Sequence, residues 1–445
     1  MRKITLLASM VLGLCGCDSV FSSYLRYGAP GQDGGSDAGP PPPLQPFQEP
    51  TSVETTGLAN ANLLAVTDLD GDGRPEMIVS RINLDNAIRT PFSATSDPLQ
   101  VYRIDSTGRP ILAPEPQACG PLDRVQALQP YRDAKTGTNY VAVTQANEIR
   151  FLRFVSGGFD CQPSLATGMA YTDVALGDMT NDQLDDVLYY SEVSCGGGGK
   201  CMRFHSRKGD MPGLAFNDAL NIGVSYKSFQ ARMSYNRTEA KAPFVAMASG
   251  RADGNFQLNY VSNLLDPFVN FIASSVNFPL YPGGMLAANL DGSGYDDVVL
   301  LQTAAPVIGT YSLYVLEAKS DPPNAFAPLP IKLGPFRPDA PTSYSFGVLR
   351  ARNLDGVGPD ELVLGLSEPP LSGTGASSLY FLRYSGGALQ TLAQLDGDGA
   401  VPALELAELS PQGTTRGPAD LIYLRQRSGT TYLTVRRATP GFAWQ

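Results

Sequence analysis

One sequence unit recurs along this chain of 445 residues: an apolar strand, an acidic loop rich in Gly, and a second apolar strand. Short apolar runs bounded by Asp, Asn and Gly are typical of β-hairpins. Recurrence of one design indicates an array of equivalent units rather than several unrelated domains. The four clear copies are Ala65–Val79, Ala175–Tyr189, Leu286–Leu300 and Arg350–Leu364.

The spacing of these copies indicates three further units. The four loops open at Asp68, Asp178, Asn289 and Asn353, at intervals of 110, 111 and 64 residues, so each long interval has room for one more copy. Three eroded copies keep the flanking strands without the acidic loop: Val125–Val143, Phe229–Met247 and Leu404–Tyr423. Seven units over residues 51–445 average about 56 residues each.

Most units carry a further apolar strand after the loop pair. These strands are Leu99–Ile104, Ile149–Val155, Met202–Ser206, Tyr311–Glu317, Ser378–Tyr384 and Tyr432–Arg437. Gly 46 and Pro 36 against only 17% charged residues exclude a helical bundle. We therefore predict an all-β fold, a seven-bladed β-propeller over residues 48–445, in preference to a solenoid, which would need capping units. In a ring, Gln48–Thr56 would complete the blade built from Leu404–Gln445.

The first acidic loop has the residues of a cation site. Asp68, Asp70, Asp72 and Glu76 stand at loop positions 1, 3, 5 and 9, and a backbone carbonyl near Arg74 would add another oxygen. Ca²⁺ takes six to eight oxygen ligands in loose geometry, so this loop predicts a structural calcium ion. An EF-hand is excluded because Val79 occupies the position of the bidentate Glu and because strands flank the loop.

The other loops carry fewer charges, and we expect calcium affinity to fall in chain order. The predicted ligands are Asp178, Thr180, Asp182 and Asp186 in the second loop, Asn289, Asp291, Ser293 and Asp297 in the third, and Asn353, Asp355 and Glu361 in the fourth. Val357 cannot ligate an ion. The alternative for every loop is a hairpin turn without metal.

These repeats resemble the FG-GAP/VCBS family, which includes the seven-bladed head of integrin α subunits. Phe346 and Gly347 stand where that family has Phe-Gly, and Leu362–Gly365 is similar to the strand before its Gly-Ala-Pro, although Leu366 and Ser367 replace Ala-Pro. The resemblance covers roughly residues 51–445. It implies that the loops bind Ca²⁺ structurally and that partners dock on the opposite face, and it supplies no catalytic residue.

The N-terminus has the pattern of an export signal. A basic start precedes the apolar run Ile4–Leu14, which is too short to span a bilayer. The sequence Leu14–Cys17 resembles the lipobox of bacterial lipoproteins, which predicts cleavage of residues 1–17 as a signal peptide and lipidation of Cys17. A plain secretory signal is the alternative. Residues 18–47, rich in Gly and Pro, predict a disordered tether.

Export would place the protein in the cell envelope, held to a membrane by its lipid anchor only. The outer membrane or cell surface is favoured, and the inner membrane stays open because Asp18 follows Cys17. Four cysteines remain after export, and an even number outside the cytosol favours two disulfides. They are Cys119, Cys161, Cys195 and Cys201. Cys195 and Cys201 flank a short Gly-rich tract and would close a hairpin tip.

Composition also limits the function. The net charge of −10 comes without any basic stripe, so nucleic acid is an unexpected partner. The only imidazole, that of His205, rules out chemistry that needs a histidine pair. We therefore expect a non-enzymatic binding or scaffold module that presents loops such as Arg81–Pro98 to a protein or a glycan, with contacts from Asp85, Ile88, Arg89 and Phe92.

Two other functions remain open at the level of sequence. The first is a polysaccharide lyase or hydrolase that uses acidic groups, Tyr or Arg in the central channel of the propeller. The second is a structural part of an envelope assembly, which the sequence does not separate from a binding module.

Overall fold

The computed structural model describes the side chains of residues 45–81, 99–113, 122, 125, 127–132, 137–145, 148–153, 176, 285–301, 313–317, 347–367, 375–409 and 418–442. Further residues are described only by their strand path and pairing. Every element of regular structure in this part of the chain is a β-strand, and the described strands form seven antiparallel sheets.

The seven sheets are numbered here along the chain. Sheet 7 joins the first strand, β1 (Thr51–Glu54), to the last three, β27 (Ala400–Ala407), β28 (Asp420–Arg427) and β29 (Thr430–Arg436). Sheet 1 consists of β2 (Leu63–Thr67), β3 (Glu76–Ser80), β4 (Gln100–Ile104) and β5 (Pro110–Leu112). Sheet 2 consists of β6 (Ala127–Asp133), β7 (Thr138–Thr144), β8 (Glu148–Val155), β9 (Gly158–Cys161) and β10 (Leu165–Ala166).

The remaining four sheets repeat the same four-stranded design. Sheet 3 consists of β11 (Tyr171–Gly177), β12 (Asp186–Ser194), β13 (Lys200–Arg207) and β14 (Asn217–Asn221). Sheet 4 consists of β15 (Tyr226–Ser234), β16 (Phe244–Arg251), β17 (Phe256–Val261) and β18 (Phe271–Phe278). Sheet 5 consists of β19 (Pro282–Ala288), β20 (Asp297–Thr303), β21 (Tyr311–Leu316) and β22 (Ile331–Lys332). Sheet 6 consists of β23 (Phe346–Arg352), β24 (Glu361–Ser367), β25 (Ser377–Ser385) and β26 (Ala388–Gly397).

The sheets are arranged in a closed ring. The first strand of each sheet contacts the first strand of the next, from β2 through β6, β11, β15, β19, β23 and β27 and back to β2. Sheets 1, 3, 4, 5 and 6 are meanders of sequential antiparallel strands, while in sheet 2 both β9 and β10 pair with β8 and in sheet 7 β1 pairs with β29. This arrangement is a β-propeller, in which radial repetition leaves only short strand edges exposed.

Buried side chains are described in sheets 1, 2, 5, 6 and 7, and they form cores between consecutive sheets. One core joins Leu286, Val299 and Leu313 of sheet 5 to Leu349 and Leu362 of sheet 6. Equivalent clusters join sheets 6 and 7, sheets 7 and 1, and sheets 1 and 2. Strands such as β24 are buried along their whole length because both faces contact apolar side chains of other sheets.

The N-terminal chain closes sheet 7. Strand β1 pairs with β29 so that Thr51 lies opposite Val435 and Glu54 opposite Tyr432. This confirms the predicted contribution of the segment Gln48–Thr56 to the last sheet. Just before β1, Phe47 is buried, forms a bridge with Ala438 and lies with its ring centroid 5.3 Å from that of Phe381.

The predicted strand pairs agree with the observed ones, including those of the three eroded copies. The short outer strands, such as β5 and β22, were not predicted. In the described residues no helix has the length and apolar character that crossing a membrane requires. Cys17 and residues 18–44 lie outside the described residues, whereas Pro46 and Phe47, at the end of the predicted tether, are buried.

Candidate functional site

The acidic loop between β2 and β3 is a tight turn held by its own carboxylates. The two carboxylate oxygens of Asp68 accept hydrogen bonds from the backbone N–H groups of Gly71 and Gly73, at 2.8 and 2.9 Å. Both glycines have positive φ, 79° and 82°, a conformation that L side chains rarely adopt. Asp70 and Asp72 accept bonds from the backbone N–H groups two residues further on. The Gly positions noted in the sequence are therefore required by the turn.

Three of the predicted ligands in this loop converge. Oxygens of Asp68, Asp70 and Glu76 all lie within 4.8 Å of one another, and this is the one such acidic group among the described residues. Asp72 and Arg74 are exposed. Oxygen ligands of this kind fit a hard divalent cation such as Ca²⁺, for which the loop would supply three carboxylates at one point.

A buried carboxylate begins the second strand in sheets 1, 5, 6 and 7. Glu76 is 1% exposed, and its Oε2 accepts a hydrogen bond from the backbone N–H of Leu69 at 2.8 Å. The same bond recurs from Leu290 to Asp297, from Leu354 to Glu361 and from Leu409 to Asp420, at 3.0, 2.9 and 2.8 Å. All four leucines are buried. Each carboxylate therefore fixes the loop that leads into its own strand.

Burial shifts the proton affinity of these carboxylates. Desolvation raises the pKa of Glu76 from 4.5 to about 7, against the lowering effect of the Leu69 N–H and of Arg103. Desolvation also raises the pKa of Glu361 and of Asp420. A buried carboxyl group needs hydrogen-bond donors to be tolerated, and the leucine N–H and a nearby arginine supply them here.

An arginine on the third strand reaches the same carboxylates. Arg103 donates from Nε to Oε1 of Glu76 at 3.0 Å and from Nη2 to Oδ2 of Asp70. In sheet 6, Nη2 of Arg383 donates to Oε1 of Glu361 at 2.7 Å and to Oδ2 of Asp355 at 3.2 Å. Each guanidinium therefore bridges the buried carboxylate and a loop carboxylate.

A third arginine occupies the same place in sheet 7, whose loop has Ser410 and Gln412 in place of the carboxylates of Asp70 and Asp72. Arg437 Nε lies 3.2 Å from Oδ2 of Asp420. The strand pairing explains the recurrence, because Tyr102, Leu382 and Arg436 lie opposite the residues that follow the three buried carboxylates, and the arginine comes next in each strand. These arginines were not predicted, because the register between second and third strands cannot be read from the sequence.

Sheet 5 differs at this position. Leu316 lies opposite Val298, the residue after Asp297, so the residue that corresponds to the arginines is Glu317. Glu317 accepts a hydrogen bond from the hydroxyl of Tyr384 in sheet 6. Burial, followed by the contributions of Glu317, Asp297 and Asp291, raises the pKa of Tyr384. Negative charge therefore accumulates at the end of sheet 5.

The loop of sheet 5 keeps the same turn with fewer carboxylates. Asp291 accepts a hydrogen bond from the backbone N–H of Ser293 at 2.8 Å, and Asn289 accepts one from that of Gly294 at 3.4 Å. Asp360 of the neighbouring loop connects to Asn289 twice: its Oδ2 accepts from the Asn289 N–H, and its own N–H donates to the Asn289 carbonyl. The loops of sheets 5 and 6 are therefore joined.

The loop of sheet 6 uses its amide side chain internally. Asn353 donates from Nδ2 to the carbonyl of Gly358 at 2.8 Å, and Asp355 accepts from the Val357 N–H at 2.9 Å. Val357 is 70% exposed. The loop also contacts sheet 7, where the Ala419 N–H donates to the Leu354 carbonyl. Hydrogen bonds thus connect the loops of sheets 5 and 6 and the residue before β28 in sheet 7, and the side of the ring on which they lie is called here the acidic-loop face.

Several predicted residues lie outside the described side chains. Asp178, Thr180 and Asp182 fall outside the described residues, and Asp186 is placed only as the first residue of β12, opposite Gly177. The loop residues Asp85, Ile88, Arg89 and Phe92 fall outside as well.

The cysteine predictions also fall largely outside the described part. Cys119 and Cys195 lie outside it, and Cys161 and Cys201 are placed only as strand residues. Cys201 lies opposite Val193 in a hairpin, as predicted for this segment. The two disulfides stay predictions. His205 is placed in β13 opposite Tyr189, without a described side chain.

A cavity of about 390 Å³ opens between sheets 1 and 7 beside the first loop. Its charged lining consists of Asp72, Arg74, Glu76, Arg103, Asp105 and Arg437. Since three carboxylates face three arginines, charge is balanced within the lining, and no ligand chemistry is favoured by it.

Comparisons with known proteins agree with the ring of sheets. No protein-family profile and no curated protein matches the sequence. Among solved structures, the crystal structure of BBS1N in complex with ARL6DN, soaked with lead, is similar at 12% identity, with a TM-score of 0.52, over 90% of this chain and 99% of that chain. The WD40 domain from Toxoplasma gondii coronin covers 91% of this chain and 89% of that chain at 12% identity, with a TM-score of 0.46. The class of the protein is therefore the β-propeller.

Proposed function

We propose that this protein is a non-enzymatic interaction scaffold of the cell envelope: a seven-bladed β-propeller of FG-GAP/VCBS type that binds a protein or a glycan. Propellers often serve as rigid platforms whose loops recognise partners, because loops carried on a fixed scaffold keep their geometry. The similar BBS1N structure was solved in complex with another protein. The proposed FG-GAP/VCBS type is supported by the seven sheets of the ring and by the acidic loop sequence that recurs in four units.

The orientation of the propeller is proposed from the place where the N-terminal segment joins it. The Ala438 N–H donates to Asp420 at 2.7 Å, and Phe47 pairs with Ala438, so the N-terminal segment joins the propeller at the acidic-loop face of sheet 7. A tether from Cys17 would therefore hold this face towards the membrane. The opposite face, where the turn at Ser428 lies and where β3 ends, would then point away from the membrane and remain accessible to a partner.

Site-specific photo-crosslinking in the source organism tests this orientation. A photoreactive residue at Ser428, which is exposed on the far face, should capture a partner. The same residue at Ser106, exposed in the turn between β4 and β5 on the acidic-loop face, is the matched control and should capture less. Equal capture from both positions, or capture from Ser106 alone, would contradict the proposal.

Lipid attachment is a separate part of the proposal. Cleavage before Cys17 and acylation of its thiol would anchor the tether of residues 18–47 in the outer membrane or at the cell surface, with the inner membrane as the alternative. Metabolic labelling with palmitate should mark the wild-type protein and fail with the Cys17→Ser variant. Release of the wild-type protein into the medium without label would indicate a plain secretory signal.

We also propose that Ca²⁺ is a structural ligand of the acidic loop of sheet 5. This loop is proposed because Glu317 takes the strand position that an arginine takes in sheets 1, 6 and 7, whereas its described carboxylates do not converge as those of Asp68, Asp70 and Glu76 do. Asn289, Asp291, Ser293 and Asp297 would hold the ion, with the Asp178–Asp186 loop as a second position. Isothermal titration with CaCl₂ should detect binding that Asp291→Asn weakens. An unchanged isotherm for Asp291→Asn would contradict the assignment to this loop.

No specific observation favours the enzymatic alternative. In the described residues, the clustered carboxylates are engaged by backbone N–H groups and by arginines. A general acid or base needs a carboxyl group within reach of a bound substrate. The interaction scaffold is therefore the function that the geometry supports best.

A further inference from the structure

We propose that the guanidinium groups of Arg103 and Arg383 act as the cations of the acidic loops in sheets 1 and 6. These two loops would then hold no calcium ion while each arginine is in place. The inference concerns the metal part of the proposed function and does not depend on the partner or on the lipid anchor. It divides the loops of one propeller into arginine-filled and calcium-dependent types.

The contacts place each guanidinium at the point where an ion would have to be. Arg103 binds Asp70 and Glu76, which are two of the three carboxylates that converge in the loop of sheet 1. Arg383 binds Asp355 and Glu361 through the same nitrogen, and its Nε also lies 3.2 Å from Glu361. Glu361 is fully buried, so its charge needs a fixed partner.

Arginine and calcium exclude one another at such a point. A guanidinium offers five N–H donors and no lone pair, so it cannot join a coordination shell. It also repels a divalent ion, while its planar shape matches two carboxylates at once through charge-assisted hydrogen bonds. Calcium would have to displace the arginine from both carboxylates before it could use their oxygens.

Sheets 7 and 5 distinguish the two contacts of this arginine, one with the buried carboxylate and one with a loop carboxylate. In sheet 7 the loop keeps Glu408 at its opening position but has Ser410 and Gln412 where the first loop has Asp70 and Asp72, yet Arg437 still pairs with the buried Asp420. The buried carboxylate is therefore the constant partner, and the second contact, to Asp70 or Asp355, is what fills the acidic loop. In sheet 5, Glu317 takes the arginine position and adds negative charge.

Calcium stoichiometry of the full protein with its natural N-terminus tests the inference. Arg103→Met removes the guanidinium and leaves the loop carboxylates in place, so isothermal titration with CaCl₂ should show one more calcium per chain than in the wild type. The melting temperature of this variant should rise more on adding calcium than that of the wild type. Adding Asp70→Asn to Arg103→Met should abolish both gains.

The matched control is Arg150→Met. Arg150 forms an ion pair with Glu148 at 2.6 Å on the third strand of sheet 2, whose loop has no acidic residues. This variant also loses one arginine ion pair and should bind no additional calcium. Arg383→Met, alone and with Asp355→Asn, repeats the test in sheet 6 and should give the same pattern.

A second measurement avoids any folding defect of the arginine variants. Asp70→Asn in the otherwise wild-type protein should leave the calcium stoichiometry unchanged, and the loss of one calcium would overturn the inference. A folded Arg103→Met variant that gains no calcium would overturn it as well. If the wild type binds no calcium at all, the assignment to sheet 5 fails, while a gain by Arg103→Met would still support the exchange of arginine for calcium.

Discussion

At the scale of single residues, four buried carboxylates organise the acidic-loop face. Glu76, Asp297, Glu361 and Asp420 each accept a backbone N–H from a buried leucine two residues beyond the preceding strand. Three of these side chains were predicted as metal ligands, and their contacts give them a structural role that does not require a metal. Asp420 fills this role in a unit whose loop lacks the carboxylates of Asp70 and Asp72.

The titration of Asp420 gives a prediction about pH. Burial raises its pKa above the ordinary value of 3.8, so the folded state binds the proton more tightly than the unfolded state. The contribution of this group to the free energy of unfolding is therefore greatest in acid and declines as the pH rises above about 4 through the folded pKa. Asp420→Asn lacks this decline. The free energy of unfolding of the wild type minus that of the variant should therefore fall from pH 4 upwards.

Thermal melts of the two proteins at several pH values would measure this difference. If the free energy of unfolding of the wild type minus that of the variant stays constant across the acid range, or rises with pH, the proton affinity of Asp420 is not raised by folding. The comparison cancels the other acidic groups, since both proteins share them.

At the scale of elements, the N-terminal segment contributes to the ring with both a side chain and its backbone. Phe47 is 6% exposed, contacts Phe381 and belongs to the core between sheets 6 and 7. Strand β1 adds a fourth strand to sheet 7 next to β29. The segment therefore connects two consecutive sheets through its side chain and completes one of them through its backbone.

Truncation of this aromatic ring should destabilise the propeller. Phe47→Ala removes most of a buried phenyl group, and such substitutions cost about 3 kcal/mol or more. We expect a clear fall in melting temperature in differential scanning calorimetry. Glu49→Ala, at an exposed position of the same segment, is the control and should melt like the wild type. A normal melt for Phe47→Ala would mean that this segment is not attached in solution.

Much of this element order could be predicted from the sequence. The strand pairs around Asp68, Asn289 and Asn353 were found because acidic turns separate alternating apolar runs. The outer strands β5 and β22 were missed, since three and two residues carry no periodic signal. Arg103 and Arg383 were missed for a different reason: their relation to the loops depends on pairing between strands separated by long connections.

At the scale of the whole molecule, one noncovalent strand pair joins the two ends of the chain, in addition to the packing of sheet 7 against sheet 1. Residues 51–54 come from the beginning of the chain and residues 432–435 from its end, so their pairing encloses the entire propeller. Ser52 and Thr434 face each other across this pair, with their hydroxyl oxygens 2.9 Å apart. Loss of this contact would leave sheet 7 with three strands and an open edge.

A covalent bond at this position should stabilise the ring. Ser52→Cys with Thr434→Cys would join residues nearly the full chain apart, and the loss of unfolded-state entropy for such a long loop is about 6 kcal/mol in the chain-entropy description. Calorimetry should show a higher melting temperature for the crosslinked double variant than for either single variant. Equal melting temperatures would show that opening at this strand pair does not limit stability.

The place where the chain joins the ring also determines how the molecule responds to mechanical force. A force that pulls residue 45 away from the ring along the axis of β1 would load this strand lengthwise. The backbone hydrogen bonds to β29 would then resist the force together in shear. The Phe47 ring, wedged against Phe381, would have to leave its core before the strand could slide. Load applied through the N-terminal segment is therefore shared over many contacts instead of breaking them one after another.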